Sequence, residues 1–173
     1  MEQTCIIQKN KKSSAFTGHR SLGEDFNKKA LKNAVELAIK EGVEIFYCGM
    51  AMGFDLLAAE TVLGLKAKFP QIRLVACVPC YGQEKSFSKE DKVRYSKALE
   101  NADEQIILSE HYYRGCMQVR DKYMAERADM LITYSKKSTG GTAYTVKCFQ
   151  KEHVDGEFVF LYLNCQTKCN TLL

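Results

Sequence analysis

The sequence has no run of apolar residues that approaches the roughly 18 needed for a membrane-spanning helix. Its first residues, MEQTCIIQKNKKSS, contain too short an apolar segment for a secretory signal peptide. These two absences lead us to expect a cytoplasmic protein without a membrane partner. The sequence also has little excess of one sign of charge: 25 Lys and Arg stand against 21 Asp and Glu, which gives a formal net charge of +4. The basic residues are scattered along the chain. A nucleic-acid partner is therefore disfavoured.

Cysteines with the spacing of a zinc or redox site are lacking too, although the chain has eight cysteines. Cys77 and Cys80 form a C-x-x-C, but Cys77 ends a strand-like segment, whereas a redox pair places its first thiol at a helix N-terminus. Cys165 and Cys169 have no second tight pair with which to complete a four-ligand zinc site. We expect eight free thiols and no metal site.

Short apolar runs alternate with longer amphipathic ones along the chain. The predicted strands cover 14–17, 43–48, 72–78, 104–108, 130–134 and 158–163, and the predicted helices cover 25–40, 56–69, 89–101, 116–127 and 142–151. This alternation implies right-handed crossovers, so we predict an α/β fold, a three-layer sandwich with a mostly parallel sheet. With 173 residues, 46% of them hydrophobic, we expect a single domain, 1–173, with its core at about 13–163.

Unusual residues cluster where the predicted strands end. The segments FTGHR, CGMAMGFD, VPCYGQ and YSKKSTGGTAYT follow the first, second, third and fifth strands. Ligands of open α/β sheets bind outside the carboxyl ends of the strands, so these segments are candidates for a binding site.

The run Gly140, Gly141 and Thr142 is the best candidate for binding a phosphate group. Glycines let backbone N–H groups approach a ligand, the helix that follows directs its partly positive end at the same point, and threonine can donate to a phosphate oxygen. A plain turn between strand and helix would use the same residues. Neither a G-x-G-x-x-G fingerprint nor a nucleoside-triphosphate P-loop is present.

Four ordered segments together resemble a known family: FTGHR, GMAMGFDLLAAE, VPCYGQEKSFSKEDKVRY and RADMLITYSKKSTGGTAYT. They look like the YpsA-like proteins of the SLOG superfamily, which also contains the DNA-processing protein DprA and the LOG phosphoribohydrolases. The resemblance covers roughly residues 13–163. It implies a Rossmann-like sheet that binds a small phosphate-bearing, nucleotide-like ligand, such as ADP-ribose or NAD, as a sensor or carrier.

By this resemblance Gly49 and Gly53 belong to the superfamily's glycine-rich loop, and Asp55 follows in the first helical turn. The glycines would let main chain lie against the ligand, and Asp55 would accept a hydrogen bond from a ribose hydroxyl or an adenine amino group. The alternative is that Asp55 only caps the helix and complements its dipole. Glu60, further along, faces either the same cleft or solvent.

Two arginines complete the predicted ligand-binding set. Arg20 follows Gly18 and His19 directly after the first strand, where an arginine can form a bidentate pair with a phosphate and a histidine can donate or stack. A surface His-Arg pair is the alternative. Arg120 resembles an arginine that belongs to the catalytic site of the LOG enzymes.

One position departs from those enzymes. The LOG phosphoribohydrolases carry a catalytic glutamate three residues after the threonine of the glycine loop, and Thr145 stands at that spacing here. The sequence therefore favours a binding protein over a nucleotide N-glycosidic hydrolase, unless Asp55, Glu60 or Asp121 supplies the catalytic carboxylate. No cofactor is identified with certainty. Single-stranded DNA binding, by analogy with DprA, is the third candidate function. Domains of this kind commonly pair through helices, so a homodimer is expected.

Overall fold

A computed structural model describes residues 11–162 and 165–169. Within these residues it contains a seven-stranded sheet, five α-helices and one short 3-10 helix, Gln83–Ser86. The strands are β1 (Lys12–Gly18), β2 (Val43–Cys48), β3 (Arg73–Val78), β4 (Glu104–Ile107), β5 (Met130–Tyr134), β6 (Glu157–Tyr162) and β7 (Cys165–Cys169). The helices are α1 (Lys28–Lys40), α2 (Phe54–Leu65), α3 (Lys89–Asn101), α4 (Cys116–Arg127) and α5 (Gly141–Glu152).

The strands lie in the order β4-β3-β2-β1-β5-β6-β7. Strands β1 to β6 are parallel, and β7 pairs antiparallel with β6 at one edge. Helices α1, α2 and α3 cover one face of the sheet, and α4 packs against α5 on the other. The predicted Rossmann-like α/β sandwich with a mostly parallel sheet is therefore confirmed.

The core lies on both faces of β1, the central strand. Phe16 packs into the cluster under α1, α2 and α3, while its neighbour Ala15 packs into the cluster under α4 and α5. Successive side chains of a strand point to opposite faces, so a strand covered on both faces is buried without alternation. Residues 13–17 are accordingly all buried.

The strand order reverses direction at β1, and this reversal positions the site. From β1 the chain adds β2, β3 and β4 on one side, then crosses back through α4 and places β5 and β6 on the other. The carboxyl ends of β1 and β5 therefore lie side by side at a topological switch point, where open α/β sheets bind their ligands.

The predicted strands and helices are all present, most with bounds within a few residues of those expected. The predicted last residue of β6, Leu163, lies outside the described residues. The sequence did not predict β7 or the 3-10 helix, because both segments are short and mostly polar. Among the described helices, none has the length and apolar content needed to cross a bilayer.

The five cysteines whose side chains are described are free thiols: Cys48, Cys77, Cys80, Cys116 and Cys148. Burial raises the pKa of Cys77 to about 12, so this thiol stays protonated at neutral pH and packs as a small apolar group. The part of the chain that the structure describes contains no cluster of His, Cys, Asp or Glu that could hold a metal ion. The side chains of Cys5, Cys165 and Cys169 lie outside the described residues.

Candidate functional site

A cleft of ≈ 240 Å³ opens at the switch point, and we call it the switch-point cleft. Its walls come from the end of β1, the start of α2, the buried side of α4 and the start of α5. The lining residues are Phe16, Thr17, Gly18, His19, Arg20, Ala51, Asp55, Met117, Arg120, Asp121, Met124, Gly141 and Thr142. Seven of the eleven predicted site residues are thus brought together by elements that are far apart in sequence.

A buried charged cluster forms the deepest part of this cleft. Arg120, Asp55 and Asp121 are only 5%, 6% and 7% exposed. Arg120 donates from Nε to Asp121 Oδ1 at 2.8 Å and from Nη1 to the carbonyl oxygen of Gly49. Gln83 donates to the same carbonyl oxygen at 3.0 Å. The 3-10 helix therefore helps to hold the backbone to which Arg120 is bonded.

The cluster sets the charge state of the cleft. Burial raises the pKa of Asp55 to about 6, against the opposing effects of Arg120 and of the Ala51 N–H. Burial likewise raises the pKa of Asp121, which Arg120 opposes. Burial disfavours the Arg120 cation, but the charges of Asp121 and Asp55 outweigh it and raise the pKa of Arg120. The buried cluster therefore supplies one permanent cation, Arg120, and two hydrogen-bond-accepting carboxyl groups, of which Asp55 is protonated in mild acid.

Asp55 does not occupy the capping position of α2. The N-cap is Gly53, which makes no side-chain capping bond, whereas Asp55 lies in the first turn. Its Oδ2 accepts from the Ala51 N–H at 3.2 Å and so closes the loop before the helix. The carboxyl group also lines the cleft. Asp55 can therefore both hold this loop and accept from a ligand.

Gly49 and Gly53 lie behind the cleft and are absent from its lining. A Cβ at Gly49 would stand 2.7 Å from Arg120 Cζ and 2.9 Å from Asp55 Oδ2. A Cβ at Gly53, whose φ is 78°, would stand 2.6 Å from the carbonyl carbon of Arg20. The sequence led us to expect main chain against a ligand here. In the structure the space beside these glycines is filled by the protein's own Arg120, Asp55 and Arg20.

The start of α5 presents free donors to the cleft. Gly140 is the N-cap, with φ of 97° and no side-chain capping bond, and Gly141 and Thr142 line the cleft. The first N–H groups of a helix have no intrahelical partner, and the helix dipole favours an anion there. Thr145, at the position of the enzymes' glutamate, is buried and donates to the Gly141 carbonyl oxygen at 3.0 Å.

The segment after β1 forms the remaining wall. Gly18 is required by packing, because a Cβ there would lie 2.6 Å from Phe54 Cβ. His19 Nε2 accepts from the Lys136 N–H at 2.8 Å, which ties this segment to the loop after β5. Arg20 is exposed and has no ion-pair partner among the described residues. Its guanidinium is available at the mouth of the cleft.

Glu60 is not brought to the cleft. Its carboxylate accepts from Arg94 Nε at 2.7 Å and from Arg94 Nη2 at 2.9 Å, between α2 and α3. Conversely, Asp121 lines the cleft although the sequence suggested it only as a substitute carboxylate. Asp121 follows Arg120 directly on α4, which places both side chains at the same cleft. Gln83 ends the segment VPCYGQ that the sequence indicated, but its bond to the Gly49 carbonyl oxygen was not predictable, since it depends on a contact with a distant loop.

Comparisons with known sequences agree on one family. A sequence model of the YspA SLOG family matches residues 17–167. A UPF0398 protein of Halalkalibacterium halodurans is 30% identical over 136 residues, which cover 77% of this chain and 72% of that protein. The UPF0398 protein YpsA of Bacillus subtilis is 28% identical over 127 residues, which cover 72% of this chain and 71% of that protein.

Comparison with solved structures supports the same fold. DNA processing protein A from Helicobacter pylori, studied for its single-stranded DNA binding mode, superposes with a TM-score of 0.63 at 17% identity. That alignment covers 90% of this chain and 68% of the other. DprA from Streptococcus pneumoniae superposes with a TM-score of 0.59 at 14% identity, covering 86% of this chain and 50% of the other.

Proposed function

Because the chain belongs to the YspA SLOG family, we propose that its switch-point cleft binds a phosphate-bearing nucleotide or a ligand derived from one, such as ADP-ribose or NAD. The protein acts as a sensor or carrier of that ligand. The observation that carries the proposal is the pairing of free donors at the start of α5 with the buried acceptors Asp55 and Asp121 in one cleft.

Each half of a sugar phosphate has a partner in this arrangement. The N–H groups of Gly141 and Thr142, with the Arg20 guanidinium, are suited to phosphate oxygens. The carboxyl groups of Asp55 and Asp121 are suited to ribose hydroxyls, which donate hydrogen bonds. Arg120 opposes the rise in pKa that burial causes in both carboxyl groups, and so favours their ionised form in a buried site.

The first test is a panel of nucleotides and dinucleotides added to the purified protein, with thermal stability and ligand integrity measured together. Thermal stabilisation by a phosphate-bearing nucleotide, but not by its nucleoside, is the result that the proposal expects. If no member of the panel stabilises the protein, the proposal is wrong.

Gly141→Ala is expected to weaken the binding of the stabilising nucleotide by roughly 1 kcal/mol or more, because the added methyl group occupies space beside the phosphate. The fold should tolerate the change, since the nearest heavy atom to a Cβ there is Asp121 Oδ2 at 3.8 Å. Titration calorimetry measures the affinity, and Gly64→Ala is the matched control. Gly64 lies on α2 in open space, so that variant should bind like the wild type.

Hydrolysis of a nucleotide N-glycosidic bond is the second candidate function, and the position of Asp121 favours it. Thr145 supplies no carboxylate, but Asp121 lines the same cleft from α4 and its pKa is raised by burial. A carboxylate there is placed to accept a proton from water as the base departs. Chromatography of the nucleotide panel decides, since release of free base would make the protein an enzyme.

Single-stranded DNA binding, studied in the Helicobacter pylori protein, is the third candidate. Tyr81 and Tyr112, which follow the carboxyl ends of β3 and β4, are 62% and 71% exposed and could stack on bases. An oligonucleotide in the same panel tests this candidate. Binding that survives Gly141→Ala and falls steeply with salt would favour it over the cleft.

A further inference from the structure

A second cleft adjoins the switch-point cleft and shares one wall with it. Its volume is ≈ 370 Å³, and we call it the lysine cleft. The shared wall consists of His19 and Arg20, which line both clefts. The other lining residues are Ser21, Gly23, Tyr134, Lys136 and Lys137. Of all the residues that line the lysine cleft, Arg20, Lys136 and Lys137 carry a positive charge, and none carries a carboxylate.

The three cations differ in what they already contact. Lys136 forms an ion pair with Asp25, and the Tyr134 hydroxyl donates to the same carboxyl group at 3.2 Å. Arg20 and Lys137 are exposed and have no ion-pair partner in the described part of the chain. Two cations that make no close ion pair among the described residues therefore line the lysine cleft, an arrangement that attracts an anion.

The histidine of the shared wall is fixed and uncharged. Because the Lys136 N–H donates to His19 Nε2 at 2.8 Å, the neutral ring carries its proton on Nδ1. Burial, with the charges of Lys137 and Lys136, lowers the pKa of His19. The ring also packs edge-on against Tyr134, with centroids 5.7 Å apart. The wall thus keeps its position and offers one N–H donor.

We infer that the lysine cleft binds a second phosphate group of the ligand, through Lys137 and the Arg20 that it shares with the switch-point cleft. This inference rests on the proposed function, since the first phosphate must lie at the start of α5. It assigns the ligand to nucleoside diphosphates and their derivatives, because one guanidinium can bridge two linked phosphates in adjoining subsites.

The sizes of the two clefts agree with such a ligand. The switch-point cleft alone, at ≈ 240 Å³, is smaller than typical small-molecule sites, which begin at roughly 300 Å³. A ligand that occupied both clefts would have the room that such sites usually provide. A monophosphate would leave Lys137 without a partner.

Titration calorimetry with nucleoside 5′-monophosphates and the corresponding diphosphates tests the inference. We expect a diphosphate to bind about tenfold or more tightly than its monophosphate, the scale of a hydrogen bond between charged groups. Lys137→Gln should reduce diphosphate affinity toward that of the monophosphate and leave monophosphate affinity unchanged. Lys97→Gln, an exposed lysine on α3, makes the same charge change and should alter neither affinity.

The outcomes separate this inference from the proposed function. Equal affinities for the two series would overturn the second subsite and leave the proposed function in place. An equal loss for both series in Lys137→Gln, or a similar loss in Lys97→Gln, would also overturn the subsite, because the charge would then act without specific contact. Binding of neither series would overturn the proposed function and the subsite together.

Discussion

Arg120→Met is expected to lower the free energy of unfolding by about 3 to 5 kcal/mol at pH 7, because it leaves buried carboxylates without their cation. Methionine fills much of the same volume, so the loss is chiefly electrostatic. Asp121 would lose its 2.8 Å bond from Arg120 Nε, and the Gly49 carbonyl oxygen would lose one of its two side-chain donors. Urea denaturation of the purified variant measures the change.

Acidification and a matched variant separate this effect from simple loss of packing. The destabilisation should shrink as the pH falls below about 6, because Asp55, whose pKa in the folded wild type is raised to about 6, then takes up a proton and no longer needs the Arg120 cation. Arg94→Met, which breaks a partly exposed pair with Glu60, makes the same side-chain change and should cost no more than about 1 kcal/mol. Equal losses in the two variants would contradict the account of a buried charged cluster.

Asp55→Asn is expected to weaken nucleotide binding by about 1.5 to 3 kcal/mol, the scale of a hydrogen bond to a charged group. The carboxylate lines the switch-point cleft, where it is placed to accept from a sugar hydroxyl. Asparagine keeps an oxygen that can accept from the Ala51 N–H, so the loop before α2 should retain its bond. Titration calorimetry with the stabilising nucleotide measures the loss, and unchanged affinity would remove Asp55 from the site.

The same variant should gain stability without ligand, in a defined range of pH. Burial raises the pKa of Asp55 from its ordinary 3.8 to about 6. The folded state therefore loses stability as pH rises through that range, because the unfolded chain gives up its proton first. Asparagine does not titrate, so the gain should be absent below about pH 4, grow up to about pH 6 and persist above it. A pH-independent change would mean that burial does not perturb this carboxyl group.

The fold was predictable because local signals and the global pattern agree. Helix α3 begins after Ser88, whose side chain accepts from the Asp91 N–H at 3.0 Å, and its bounds match the sequence prediction. Strand β5 is buried without interruption and covered on both faces, and its bounds match as well. The edge strand β7 was missed because a short polar segment gains its structure from pairing with β6.

The site was predictable in its location but not in its internal contacts. Glycines and polar residues at strand ends indicated the crevice, and family resemblance indicated Arg120. The bond from Arg120 to the Gly49 carbonyl oxygen joins residues 71 positions apart, so no local pattern could reveal it. The same limit explains Glu60, which lies on the same helix as Asp55 but pairs with Arg94 away from the cleft.

The most direct test of the proposed function is a crystal structure of the protein with the nucleotide that stabilises it most. We predict a phosphate group within hydrogen-bonding distance of the N–H groups of Gly141 and Thr142, and a sugar hydroxyl that donates to Asp55 or Asp121. A nucleotide bound elsewhere, for example in the groove between α2 and α3 that Glu60 and Arg94 line, with the switch-point cleft free of ligand, would contradict the account.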